Sequence, residues 1–353
     1  MPLRLLVTAF LSCFVIGISG CRFDGAPRPR LGCYPSSTGG TKFLESGHLG
    51  PHRYNFSLTE KNGIVYTCNA GHVDITHLRI AADWTAYLTV KSYNCLMRNK
   101  PGFTFGLNAD RSKYFIRIAY PEYWMRLPEE DKVEIAREAS ISLGQYLAFT
   151  ATTWHEIMTW FGYKCIAFLP EYPSAFSWED SFSNLLGTYI AAQALHDNRR
   201  KFDEAMTLAI DHELESLGIQ SQSTAKEASD SVRGKWFSGY ALFLVSMKKR
   251  NFDIGLDNGY ITPSIVPSIS QCRNAVPKPY PAPTLDYLSQ NGFSVKVEIE
   301  PREFEKGKVL NIAYSNAEAK GKRIDPTIHL AQIMNYIKKE AAEKYGEDLI
   351  LTN

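Results

Sequence analysis

The sequence predicts an α+β fold with a predominantly helical core and a small strand-containing C-terminal part, on three observations. Apolar residues recur at helical spacing through most of 74–247, and a short alternating segment at 63–68 comes before them. Pro, Gly and Asn then dominate 251–283, ahead of strand-like patterns at 293–299 and 308–313. With 353 residues, 44% of them hydrophobic, the chain can bury a large core. Lys and Arg total 39 against 37 Asp and Glu, a formal charge of +2 with no basic block, which argues against a nucleic-acid partner.

Each element has its own signal. Residues 63–68 alternate with β-branched content, Asn69-Ala70-Gly71 turns the chain, and Asp74 is placed to cap a helix carrying Ile75, Leu78, Ala82 and Tyr87 on its apolar positions. Asp74 and His77 stand three apart and share a helix face, and Arg79 can reach Asp83 at i+4. Residues 103–118 read as a hairpin turning at 108–110. A long helix runs from Glu129 to Trp160 or Phe161 and stops at Gly162, with Gly144, Ala148, Ala151 and Thr152 allowing a close neighbour. Ser177, with Asp180 at the capping-box position, starts the next helix, which passes Gly187. Helices follow at 202–217, ended by Gly218, and at 224–247 with a break near Gly234, and a last helix spans 326–345.

The N-terminus reads as an export signal over 1–20. Arg4 supplies a positive start, residues 5–18 are apolar but too short to span a bilayer, and Ile18-Ser19-Gly20-Cys21 resembles a bacterial lipobox. That resemblance implies acylation, palmitate included, at Cys21 and anchoring to the membrane; Arg22, rather than Asp, after it implies an outer-membrane location facing the periplasm. Residues 21–40, rich in Pro, Gly, Ser and Arg, read as a flexible tether, and 41–353 as a single α-rich domain whose β-containing subregion starts near 251. Setting aside Cys13 and Cys21 leaves Cys33, Cys68, Cys95, Cys165 and Cys272, an odd set whose pairing the sequence leaves open.

Three blocks carry a family resemblance: Gly71-His-Val-Asp-Ile-Thr-His-Leu-Arg79 with Ala82-Asp-Trp-Thr85, then Trp154-His-Glu156 with Thr159-Trp-Phe-Gly162, and then the segment 174–187. They resemble bacterial lipoproteins grouped as the domain of unknown function DUF4056. The resemblance covers most of the chain past the signal. It implies an envelope location and no particular chemistry.

The candidate chemistry comes from the residues. His155 and Glu156 open like the H-E-x-x-H zinc motif, but the second histidine's place holds Thr159, so the strict motif fails. A looser set of His77, His155 and Glu179 from three helices would suit a divalent metal, zinc or manganese, while His155, Glu156 and Asp74 are the candidate catalytic groups. The plainer alternative is that His155 is a hydrogen-bonded core residue and that Glu179 and Asp180 favour a helix N-terminus by charge. Cys68 with His72 offers a thiol hydrolase, against the commoner fate of an exported cysteine in a disulfide. Trp84, Trp154, Trp160 and Trp178 flank the polar motifs, either as sugar-stacking rings or as hydrophobic wall. No phosphate loop, dinucleotide fingerprint or G-x-S-x-G elbow is present, which argues against a nucleotide. The expectation is an envelope hydrolase, metal-assisted or not, acting on a cell-wall or surface polymer; the rival is a non-catalytic lipoprotein that binds an envelope component.

Overall fold

The computed structural model describes residues 25–30, 32–33, 35–107, 110–162, 172–240, 245–302, 305–315, 317 and 320–351. Cys21, Cys165 and the signal segment lie outside the described residues.

Strands β1 (Ile64–Thr67) and β2 (Gly71–Asp74) pair antiparallel, with Tyr66 opposite His72. Gly71 closes the turn at φ +67°, and a Cβ there would strike the Ser264 carbonyl. The chain runs straight from β2 into α1 (Ile75–Met97), whose N-cap Asp74 accepts the Thr76 N–H at 2.6 Å. A carboxylate at that position satisfies one orphan donor and is worth about 1 kcal/mol.

Helix α1 forms the centre of the helical core, packed on α2 (Glu129–Trp160) and α3 (Asp180–His196). Both contacts are made at glycines. A Cβ on Gly144 of α2 would crowd the Thr89 hydroxyl and come within 2.9 Å of the Thr85 carbonyl, and one on Gly187 of α3 would fall on the Leu78 carbonyl. Acids in the first turn of α2, Glu129, Glu130 and Asp131, favour its positive end. Helix α4 (Phe202–Ser216) packs on α3 and ends before Gly218, which takes φ +75°.

Strands β3 (Gly102–Gly106) and β4 (Lys113–Ala119) form the expected hairpin, although positions 108 and 109 of its turn lie outside the described residues. The C-terminal strand β5 (Ser294–Glu300) joins the other edge of β4, so the order is β5-β4-β3. Tyr114, Ile116 and Ile118 of β4 and Val297 and Ile299 of β5 turn inward. The last helix, α8 (Pro326–Tyr345), is the one expected, with Asp325 capping Thr327 N–H.

Two of the expected elements take another form. The helix read over 224–247 is only α5 (Gln222–Ser231); beyond it Gly234 takes φ +83°, its N–H meets the Phe237 carbonyl, and Phe237–Ser238 pairs with Ser246–Met247. A glycine turn overrides a weak helical period there. The strand read over 308–313 is helix α7 (Lys306–Ala313), which follows the short helix α6 (Asp286–Gln290) and β5; its buried residues, Val309 and Ala313, stand four apart, a helical spacing hidden among β-branched residues.

The stretch read as a tether is packed against the core where it is described. Arg30 is buried and reaches Asp83 at 2.6 Å and Glu60 at 3.1 Å, while His52 meets the other Asp83 oxygen at 3.1 Å. Asp83 therefore pairs with Arg30 and His52 rather than with Arg79. The Arg79 guanidinium instead donates to the carbonyls of Lys61, Leu49 and Gly50 and to the Asn62 side chain.

Candidate functional site

The β2–α1 junction, the C-terminal end of α2 and the start of α3 bring five ionisable side chains together. His77, in the first turn of α1, turns Nδ1 to Asp74 Oδ2 at 3.3 Å and to Asp180 Oδ1 at 3.1 Å. Both carboxylates are buried, whereas 23% of the imidazole meets solvent. Burial alone would lower the pKa of His77, but Asp74 and Asp180 outweigh it and hold the ring well above its ordinary value. Its Nε2 edge faces Gly32, where a Cβ would stand 2.9 Å away. The neighbouring Cys33 N–H donates to Asp74 Oδ2 at 2.8 Å.

Glu156 belongs to the same group. Its Oε2 accepts the Phe176 N–H at 2.9 Å, and it lies within electrostatic reach of Asp180, His155 and His77. Burial and then Asp180 push its carboxyl up, the two imidazoles pull it back, and the result is a pKa of about 7. Phe176 holds this contact in a left-handed backbone, φ +54°, with its carbonyl accepting the Asn251 N–H at 2.9 Å. A buried phenylalanine in that conformation costs on the order of 1–3 kcal/mol and persists only where its surroundings fix it. Arg250 helps to do so. It is wholly buried and donates to the Ala175 carbonyl and, at 3.3 Å, to the Tyr345 hydroxyl of α8.

Glu179 is 1% exposed, and neither of its carboxyl oxygens has a hydrogen-bond partner among the described residues. The Ser177 hydroxyl is near enough to favour the anion without reaching hydrogen-bonding geometry. Burial, then Asp180, keeps the Glu179 carboxyl well above its usual range. Ser177 N–H donates to Asp180 Oδ2 at 2.8 Å, but Ser177 does not cap α3 as expected, since the helix begins at Asp180 with Glu179 in the N-cap position; Asp74 N–H donates to the Ser183 hydroxyl at 3.0 Å and locks β2 to α3.

His155 has a separate acid. Its Nδ1 stands 3.7 Å from Asp110 Oδ2, in the β3–β4 loop, with 27% of its side chain exposed and Asp110 buried. Asp110 Oδ1 accepts the Ser112 N–H at 2.8 Å, and the Ser112 hydroxyl accepts the Trp154 indole N–H at 3.0 Å. The expected trio of His77, His155 and Glu179 is not gathered into one ligand set, and among the described residues no three His, Cys, Asp or Glu side chains are disposed to hold a metal ion. Glu179 feels the charge of His77, and Glu156 lies within electrostatic reach of both His77 and His155.

The thiol alternative is overturned. Cys68 is disulfide-bonded to Cys272, so it has no thiol to activate. His72 is a core residue: Trp178 donates to its Nδ1 at 3.4 Å, its Nε2 lies 3.2 Å from the Ala225 carbonyl, and burial lowers its pKa to about 4. Cys33 and Cys95 are free. The Cys33 thiol, pushed up to about 12 by burial and then Asp74, stays protonated beside the site. The tryptophans are wall rather than platform, since Trp84, Trp154, Trp160 and Trp178 are all buried. A cleft of about 610 Å³ past the end of α2, bounded by Trp160, Tyr172, Lys308 and Glu340, opens one helical turn beyond Glu156. A larger one of about 910 Å³, between β5 and α8, holds none of the site residues.

The sequence singled out Asp74, His77, His155, Glu156, Glu179 and Asp180, but missed Asp110, Gly32 and Cys33. Asp110 carried only a turn signal, and the other two lay in a stretch whose composition says linker.

The fold and site thus define an α+β protein with a buried acidic cluster opened to solvent through two histidines. The chain belongs to the family described as Protein of unknown function (DUF4056), whose model matches residues 39–259. That span contains all of these site residues except Gly32 and Cys33. No curated protein and no solved structure matches the chain.

Proposed function

We propose that this protein is an envelope hydrolase, anchored through a lipid on Cys21, that cleaves a linkage in a cell-wall or surface polymer by general acid–base catalysis at Glu156. One observation carries the reading. Two partly exposed imidazoles, each with Nδ1 turned to a buried carboxylate, lie within electrostatic reach of a glutamate held near neutrality. Ionised Glu156 takes a proton from water as the water oxygen bonds to the electrophilic carbon. It then returns that proton to the leaving atom as the old bond breaks, so the products together contain the added water. His77, kept protonated by Asp74 and Asp180, supplies positive charge where the transition state gains negative charge. His155, steadied by Asp110, is the second group able to move a proton at the site. Among the described residues no three His, Cys, Asp or Glu side chains are disposed to hold a metal ion, and these side chains alone carry each step.

The test is release of soluble fragments from isolated cell-wall polymer. Glu156→Gln should lower the rate about 10²–10⁴-fold with the fold intact. Equal release by the variant, or none by the wild type, overturns the reading. The anchoring half is tested separately: Cys21→Ser should move the protein from the membrane to the soluble fraction, and unchanged membrane recovery overturns it.

A further inference from the structure

The shortage of donors at the site falls on Glu179. Both Glu179 oxygens are buried without a hydrogen-bond partner among the described residues, and so are Asn184 Oδ1 and the Thr159 hydroxyl. Helical register places Asn184 one turn beyond Asp180 on the same face of α3, and Thr159 one turn beyond Glu156 on α2. Asp74 already accepts the Thr76 and Cys33 N–H groups, Asp180 the Ser177 N–H and Glu156 the Phe176 N–H, while His77 Nδ1 faces both aspartates, so the unmet acceptors beside them, among the described residues, are those of Glu179, Asn184 and Thr159. Buried acceptors are almost always satisfied, and leaving one unmade costs on the order of 1–3 kcal/mol. What such a place lacks is a group that only donates.

We propose that the cluster of Asp74, His77, Glu156, Glu179 and Asp180 takes, at the unpartnered Glu179 carboxyl, a protonated primary amine carried by the substrate. An alkylammonium offers three N–H donors and no acceptor, and its charge offsets the surplus of carboxyl groups over cations. Hydroxyl and amide groups bring acceptors of their own and fit less well. Burial and Asp180 hold the Glu179 carboxyl well above its usual range, and an arriving ammonium favours its ionised form. His77, 23% exposed, is the cluster's edge toward solvent, with Gly32 packed against its Nε2. This inference rests on reading the cluster as the reactive centre. It adds the class of substrate: a polymer with free amines, as in peptide cross-bridges or de-acetylated amino sugars.

The experiment follows the histidine ring signals of the full chain by NMR, titrated with n-butylammonium and, as a neutral match in size, n-butanol. The expected result is a saturable shift of the His77 ring with the amine and none with the alcohol. Glu179→Gln should weaken that response at least about tenfold, while Glu227→Gln, on the exposed face of α5, should leave it unchanged. An equal response to the alcohol, no saturable response, or an unaltered response in Glu179→Gln overturns the inference. If that variant does not fold, the comparison of amine with alcohol on the wild type decides alone. Hydrolysis without amine binding would sink this inference and leave the proposed function standing, and amine binding without hydrolysis would do the reverse.

Discussion

His77 Nδ1 lies 3.1 Å from Asp180 Oδ1, a contact that joins the first turn of α1 to the first residue of α3. Because Asp74 approaches the same nitrogen, one imidazole separates two buried carboxylates. His77→Ala leaves them facing each other without a cation. The expected loss is on the order of 2–3 kcal/mol, below the usual cost of breaking a fully buried pair because the ring is partly solvated. Urea denaturation at pH 7 measures it. A loss under about 0.5 kcal/mol would mean that the pair is solvent-screened and structurally idle.

The site makes stability depend on pH. Glu156 titrates near 7 in the folded protein, above its ordinary value of 4.5, so between those values the native state holds more protons than the unfolded one. Stability therefore falls as pH rises through this window. His77 acts in the same direction: its raised pKa contributes stability that is complete below about 6.5 and is lost as pH climbs through the folded value. Glu156→Gln should flatten the decline between pH 5 and 8 and raise stability at pH 8 by on the order of 1–3 kcal/mol. Thermal unfolding across that range checks it, and a steeper decline in the variant would contradict the assignment.

Gly187 sets the distance between α3 and α1. A Cβ there falls on the Leu78 carbonyl oxygen, a backbone atom that cannot turn aside. Gly187→Ala should cost about 1–3 kcal/mol despite alanine's better helix propensity, and Gly187→Leu should cost more. A melting temperature unchanged in both variants would show that the helices can part without loss.

Much of this was legible in the sequence, for local reasons. Asp74 before an apolar helix, Gly218 after one and Asp325-Pro326 ahead of another are signals complete within a few residues, and each marks a boundary the structure keeps. Gly144 and Gly187 were legible as close-approach points by their place among small residues. The rest depends on partners far away in the chain. Asp83 is four residues from Arg79, yet it pairs with Arg30 at a separation of 53, because the N-terminal segment brings its own guanidinium into the core. Asp110 meets His155 only because the β3–β4 hairpin carries it there. The bond between Cys68 and Cys272 spans 204 residues, a closure that spacing could not assign.

The central claim is that Glu156, among His77, His155 and Asp180, is an acid–base group poised for neutral pH. The most direct measurement is the titration of its side-chain carboxyl carbon by ¹³C NMR, with the signal assigned by its loss in Glu156→Gln. The result expected is a midpoint near 7, lowered if a cationic ligand is added. A midpoint at the ordinary glutamate value of about 4.3 would show a carboxylate ionised throughout the physiological range, and would contradict the assignment of proton transfer to this residue.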